Sequence, residues 1–180
     1  MKHLEIELKT LLKKEEYDHL KKQFSHIQPV LQKNYYIDTP DFQLREKKVA
    51  MRIRTFSDWA ELTLKVPQTV GNMEYNQKLN LPEAESYLEK QTLPQGLVLE
   101  ELAKIGILSP DWFVLGCLAT IRYEMETSIG LMALDESHYF DHTDYELELE
   151  VTDHEKGKRD FQQFLSENGI TYQKAPSKLI

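Results

Sequence analysis

Apolar and charged side chains alternate along residues 3–12, with Glu5, Glu7 and Lys9 on the charged side. A period of two predicts a β-strand with one buried face. The same alternation predicts seven further strands, at residues 33–38, 48–56, 59–66, 73–81, 112–126, 129–136 and 143–152. Short turn-forming links join most of them, which favours antiparallel pairing.

Three other stretches change to a helical period. Apolar residues recur every three or four positions in residues 14–27 and 155–168, while residues 83–106 form two short helices interrupted at residues 94–96. We therefore expect an α+β fold. If the eight antiparallel strands form a closed β-barrel with their apolar faces outward, against helices packed outside, the charged faces line a tunnel. We expect residues 1–180 to form this single domain.

Composition narrows the class of protein. The 180 residues are 41% hydrophobic and carry a formal net charge of −8, which argues for an ordered domain and against nucleic-acid or anionic-membrane binding. The single cysteine, Cys117, excludes an intrachain disulfide and fits a reducing compartment. No apolar stretch is long enough for a signal peptide or a membrane span. We expect a cytoplasmic protein without a membrane or nucleic-acid partner, and composition leaves a homodimer open.

The charged faces of the predicted strands supply the candidate chemistry. Glu146, Glu148 and Glu150 alternate along one strand, so that their side chains point the same way about 7 Å apart; Glu5 and Glu7 repeat the arrangement. Like charges on one face are destabilising unless a cation lies between them. Because only oxygen ligands are offered, Mg²⁺ or Mn²⁺ is the expected ion.

Basic residues share these faces. Arg52 and Arg54 lie two apart on one strand and offer planar donor forks that suit phosphate oxygens. Lys9, Lys65 and Arg122 come from other strands. Each short motif alone is typical of a solvated strand face or a cross-strand ion pair, but their recurrence on five strands favours a shared site for a polyphosphate and its metal.

The order and spacing of these motifs resemble the CYTH family, the triphosphate tunnel metalloenzymes, which include class IV adenylyl cyclases and thiamine triphosphatases. The chain is similar to a bacterial-type single-domain member along nearly its whole length. The matching segments are residues 5–9 (Glu-Ile-Glu-Leu-Lys), 36–41, 52–54 (Arg-Ile-Arg), 62–65, Arg122, 148–150 (Glu-Leu-Glu) and 177–178.

This resemblance implies roles for two sets of residues. The metal would be held by Glu5, Glu7, Glu148 and Glu150, with Asp135 at a position where the family often has an interior acid. The triphosphate would be bound by Lys9, Arg52, Arg54, Lys65, Arg122 and Lys178. The chain departs from the family at its fifth strand, which has Glu74, Asn76 and Lys78, and at Ala50, where thiamine triphosphatase-like members have tryptophan.

The expected activity is hydrolysis of the terminal phosphoryl group of inorganic triphosphate or a small organic triphosphate. Metal-activated water would attack, so no protein nucleophile is needed. Two alternatives remain open: cyclisation of ATP, which needs a nucleoside pocket that the sequence does not reveal, and a non-catalytic triphosphate- or polyphosphate-binding module.

Overall fold

Eight antiparallel strands form a closed barrel in a computed structural model of the chain, which describes residues 1–108 and 111–176. The strands follow one another around the barrel in the order β1-β5-β4-β3-β2-β6-β7-β8. This confirms the predicted fold class. The strands are β1 (Lys2–Leu12), β2 (Val30–Asp38), β3 (Ala50–Thr55), β4 (Ala60–Pro67), β5 (Asn72–Leu79), β6 (Phe113–Thr127), β7 (Gly130–Tyr139) and β8 (His142–Val151).

Five α-helices lie between or after the strands. They are α1 (Lys14–Lys21), α2 (Gln43–Glu46), α3 (Leu81–Lys90), α4 (Leu97–Lys104) and α5 (His154–Glu167). Side chains at the N-terminal caps of α3 and α5, Asn80 and Asp153, each accept a hydrogen bond from a first-turn amide. No helix in the described ranges is long and apolar enough to cross a membrane.

Several predicted boundaries were wrong. Strand β2 begins at Val30 rather than at residue 33, and β5 ends at Leu79 rather than at residue 81, which is the first residue of α3. The helix expected over residues 14–27 ends at Lys21 and continues only as a 3₁₀ turn, Lys22–Phe24, a common way for a helix to end. The turn expected between the strands at residues 129–136 and 143–152 is shorter, because β7 extends to Tyr139 and β8 begins at His142. Phe140 has a φ of 54°, and a positive φ is what a two-residue hairpin turn requires.

The chain divides into two compact units, each with its own core. The first comprises Met1–Leu4 and Gln32–Leu118. Alternate residues of β3 and β4, among them Met51, Ile53 and Leu62, are almost fully buried and pack with Val98 and Leu102 of α4. The apolar face of this part of the sheet is therefore covered by helix, as the period of two predicts.

The second unit comprises Glu5–Leu31 and, among the described residues, 119–176. Leu147 and Leu149 of β8 are fully buried and pack in one cluster with Leu20 of α1 and Phe161 of α5. Gly157 of α5 lies so close to β8 that an added Cβ would meet Val151 at 2.6 Å. The apolar face of each unit thus faces helices, and the alternate residues of the same strands form the opposite face.

Candidate functional site

The second unit carries most of the predicted acidic residues on the side of its strands away from the helices. We call this surface the acidic face: Glu5, Glu7 and Lys9 of β1, Arg122 of β6, Asp135 of β7, and Glu146, Glu148 and Glu150 of β8. The strand register sets Glu7 opposite Glu150 and Lys9 opposite Glu148. Sequence alternation put these residues on one side of their strands, and the register makes them neighbours.

Arg122 is bound tightly within the acidic face. Its Nε and Nη2 donate to the two carboxylate oxygens of Asp135 at 2.8 and 2.7 Å, and Nη2 also contacts Oε2 of Glu148 at 3.1 Å. The side chains of Arg122 and Asp135 are only 18% and 6% exposed. Burial by itself lowers the pKa of Arg122, but the charges of Asp135, Glu148 and Glu7 outweigh it and raise that pKa above its usual range.

The possible metal ligands on the acidic face are of the chemical type that binds a hard divalent cation. All are carboxylate oxygens, and Glu7 and Glu150 lie directly across two neighbouring strands, where Cβ atoms are about 5 Å apart. Within residues 1–108 and 111–176, no three side chains of the kinds that bind metals converge on one point. Mg²⁺ needs no such cage, because it is commonly bound through one or two carboxylates, water and phosphate oxygens.

The first unit carries the predicted arginine pair. Arg52 and Arg54 of β3 point away from the helices, and the register sets Arg54 opposite Asn34 of β2. Nε of Arg54 donates to Oδ1 of Asn34 at 2.6 Å, and Asn34 is almost completely buried. Nε of Arg52 is buried and has no hydrogen-bond acceptor among the residues that the structure describes. A buried guanidinium N–H without an acceptor lowers the stability of the folded protein unless an anion binds it.

Lys65 lies on the same side of the first unit as the arginine pair, and we call Arg52, Arg54 and Lys65 the cationic face. Lys65 of β4 forms an ion pair with Glu74 of β5 at 3.3 Å, and Thr63 donates to Oδ1 of Asn76 at 2.6 Å. Lys78 lies over the ring of Trp59, 5.3 Å from its centroid. Two of the residues that depart from the family pattern, Glu74 and Asn76, therefore contact Lys65 and Thr63 of the neighbouring strand.

Sequence reasoning missed Asn34, because nothing local distinguishes an asparagine that orients an arginine from one on a solvated strand. It also grouped Asp38 with the family motif without a role. The carboxylate of Asp38 accepts hydrogen bonds from the amides of Thr39, Leu44 and Arg45 at 2.7, 3.0 and 3.2 Å. Asp38 therefore fixes the turn into α2. Lys178, predicted to bind phosphate, lies outside the described residues.

The strands of this barrel carry carboxylates on β1 and β8 and an arginine pair on β3. Comparison with known protein families identifies the class of protein to which such a barrel belongs. The chain belongs to the CYTH domain family, whose model matches residues 3–180. Membership implies dependence on a divalent metal.

Three relatives illustrate the similarity. The chain is 36% identical over 179 residues to the Bacillus subtilis protein named "Putative triphosphatase YjbK", covering 98% of this chain and 93% of that protein. It is 37% identical, with a TM-score of 0.91, to a Bacillus halodurans crystal structure described as a "putative adenylate cyclase", covering 98% of this chain and 96% of the other. A "putative adenylyl cyclase" from Hippeastrum, described as having a dominant triphosphatase activity, is 25% identical with a TM-score of 0.79, covering 97% and 93%.

Proposed function

We propose that this protein hydrolyses inorganic triphosphate, or a small organic triphosphate, inside its barrel with the aid of Mg²⁺ or Mn²⁺. The observation that carries the proposal is the arginine pair of β3, where a buried N–H of Arg52 has no acceptor among the described residues. An anion with several oxygens is the ligand that such a pair binds best.

The arginines would act through the phosphate oxygens. Arg54 is held in place by Asn34, so that its remaining N–H groups are oriented before the anion arrives. We propose that Arg52, Arg54, Lys65, Lys9, Arg122 and Lys178 together neutralise the charge that the triphosphate carries and that develops further as its terminal phosphoryl group departs. Preorganised donors of this kind lower the barrier without reorganising at the moment of reaction.

The carboxylates would hold the metal. We propose Glu5, Glu7, Glu148 and Glu150 as its ligands, and Asp135 as the residue that positions Arg122 beside them. When bound, a divalent ion would supply positive charge to the phosphate oxygens and would make water a better nucleophile near neutral pH. No side chain needs to form a covalent bond to phosphorus.

Phosphate release tests the proposal. Tripolyphosphate, ATP and thiamine triphosphate would each be incubated with the protein and Mg²⁺, Mn²⁺ or EDTA, and the products separated. We expect metal-dependent conversion of tripolyphosphate to diphosphate and phosphate. Conversion of ATP to a cyclic nucleotide and diphosphate would instead identify a cyclase, and tight triphosphate binding without any product would identify a binding module.

Two variants show whether the carboxylates of the acidic face are needed for metal-dependent turnover. Glu148→Gln removes a proposed ligand and should lower turnover by at least a hundredfold at saturating triphosphate. Glu155→Gln is the matched control, because Glu155 lies on the exposed side of α5 with its side chain 76% accessible; its activity should equal that of the wild type. Full metal-dependent activity in Glu148→Gln would show that the metal is bound elsewhere.

A further inference from the structure

Arg122 contacts two of the carboxylates proposed around the metal. Nε of Arg54 donates to the neutral amide of Asn34, whereas Arg122 donates to Asp135 and Glu148 of the acidic face. Asp135 holds the guanidinium by two parallel hydrogen bonds, which fix its plane. The same Nη2 that donates to Asp135 then reaches Glu148.

We propose that Arg122 is a resident cation of the acidic face, which competes with the metal for Glu148. The inference rests on the proposed function, because it concerns the same metal ligands. A carboxylate oxygen that accepts a charge-assisted hydrogen bond at 3.1 Å has part of its negative charge compensated. A divalent ion that binds Glu148 must replace this contact, so its net affinity is lower than the carboxylates alone would give.

The arrangement has a consequence for the order of binding. The side chain of Glu148 is 16% exposed, so little water is present to screen its interaction with either cation. A triphosphate offers Arg122 another acceptor and thereby frees Glu148 for the metal. Metal and triphosphate should consequently strengthen each other's binding, and Arg122 couples the two. The raised pKa of Arg122 means that it stays charged throughout.

Titration of Mn²⁺ into substrate-free protein by calorimetry tests this role without any measurement of activity. Arg122→Gln should bind Mn²⁺ about tenfold more tightly than the wild type, since a charge-assisted contact to Glu148 no longer has to be replaced. In the absence of metal the same variant should unfold at a lower temperature, and Mn²⁺ should raise that temperature by more than in the wild type. Arg159→Gln is the matched control, because it removes the same charge from the exposed side of α5, outside the acidic face, and it should leave the Mn²⁺ affinity within twofold of the wild type.

Further variants locate the competition at Glu148. In a Glu148→Gln background, Arg122→Gln should no longer tighten Mn²⁺ binding, because the shared carboxylate is gone. Should Arg122→Gln not fold without metal, Arg122→Lys takes its place: an ammonium cannot hold Asp135 by two parallel bonds and reach Glu148, so a roughly threefold gain in Mn²⁺ affinity is expected.

The results distinguish failure of the resident-cation role from failure of the proposed function. Mn²⁺ affinity that is unchanged or weaker in Arg122→Gln and Arg122→Lys, with normal binding to the wild type, overturns the resident-cation role and leaves the proposed function intact. Mn²⁺ that binds to none of the proteins overturns both the role and the metal assignment of the proposed function.

Discussion

Replacement of Arg54 is the most direct test of anion binding by the cationic face. Arg54 is partly buried, and its Nε is fixed by Asn34 at 2.6 Å. Loss of one charge-assisted contact in such a partly desolvated position should cost about 1.5–3 kcal/mol of binding free energy. Arg54→Ala should therefore bind triphosphate about ten- to a hundredfold more weakly.

Arg54→Lys separates charge from geometry. Lysine keeps the positive charge but has no Nε donor for Asn34 and cannot form a two-pronged contact with phosphate, so we expect most of the loss seen with alanine. Calorimetric titration with tripolyphosphate in EDTA measures affinity without turnover. Arg159→Lys, on the exposed side of α5, is the matched control and should bind like the wild type. Wild-type affinity in both Arg54 variants would refute the reasoning and assign the arginines to charge balance within the barrel.

Three further predictions concern stability and reactivity. Gly157→Ala should lower the free energy of unfolding by about 1–3 kcal/mol, because the added Cβ would meet Val151 at 2.6 Å and this overpacking outweighs the better helix propensity of alanine. Denaturant unfolding measures this free energy, and Lys158→Ala, at an exposed position of the same helix, should leave it nearly unchanged. Asn80→Ala should cost about 1 kcal/mol in the same assay, since the side chain caps α3 at 2.8 Å, and an unchanged midpoint would contradict this. Burial raises the pKa of the Cys117 thiol more than the hydrogen bond from Tyr35 lowers it, so less thiolate is present near pH 8. Iodoacetamide should therefore react more slowly with the folded protein than with the unfolded chain. Equal rates would show that the thiol is unperturbed.

Sequence pattern accounts for most of the elements, because the period of two and the helical period are local properties of the backbone. All eight strands were predicted, and so was the break between α3 and α4. The errors fell at ends, as with the turn at Phe140, where one residue with a positive φ decides whether a loop or a tight hairpin forms.

One polar residue shows where the pattern could not be interpreted locally. Gln77 lies on the apolar face of β5, which looks like a fault in the alternation. Its Oε1 accepts from the amide of Val98 at 2.7 Å and its Nε2 donates to the carbonyl of Gln95 at 3.3 Å. Gln77 therefore supplies a missing partner to the first turn of α4. Only the packing of the helix on the strand gives this side chain its purpose.

The sequence by itself determined which residues share a strand face, and hence the candidate ligands on β1, β3 and β8. Tertiary structure alone decided which side chains are in contact: Arg122 donates hydrogen bonds to Asp135, 13 positions away, and to Glu148, 26 positions away. It also decided that Arg54 is oriented by a buried asparagine 20 positions earlier. The reason is physical, since side-chain direction follows from the local backbone, whereas pairing follows from the register of strands that meet only after the chain has folded.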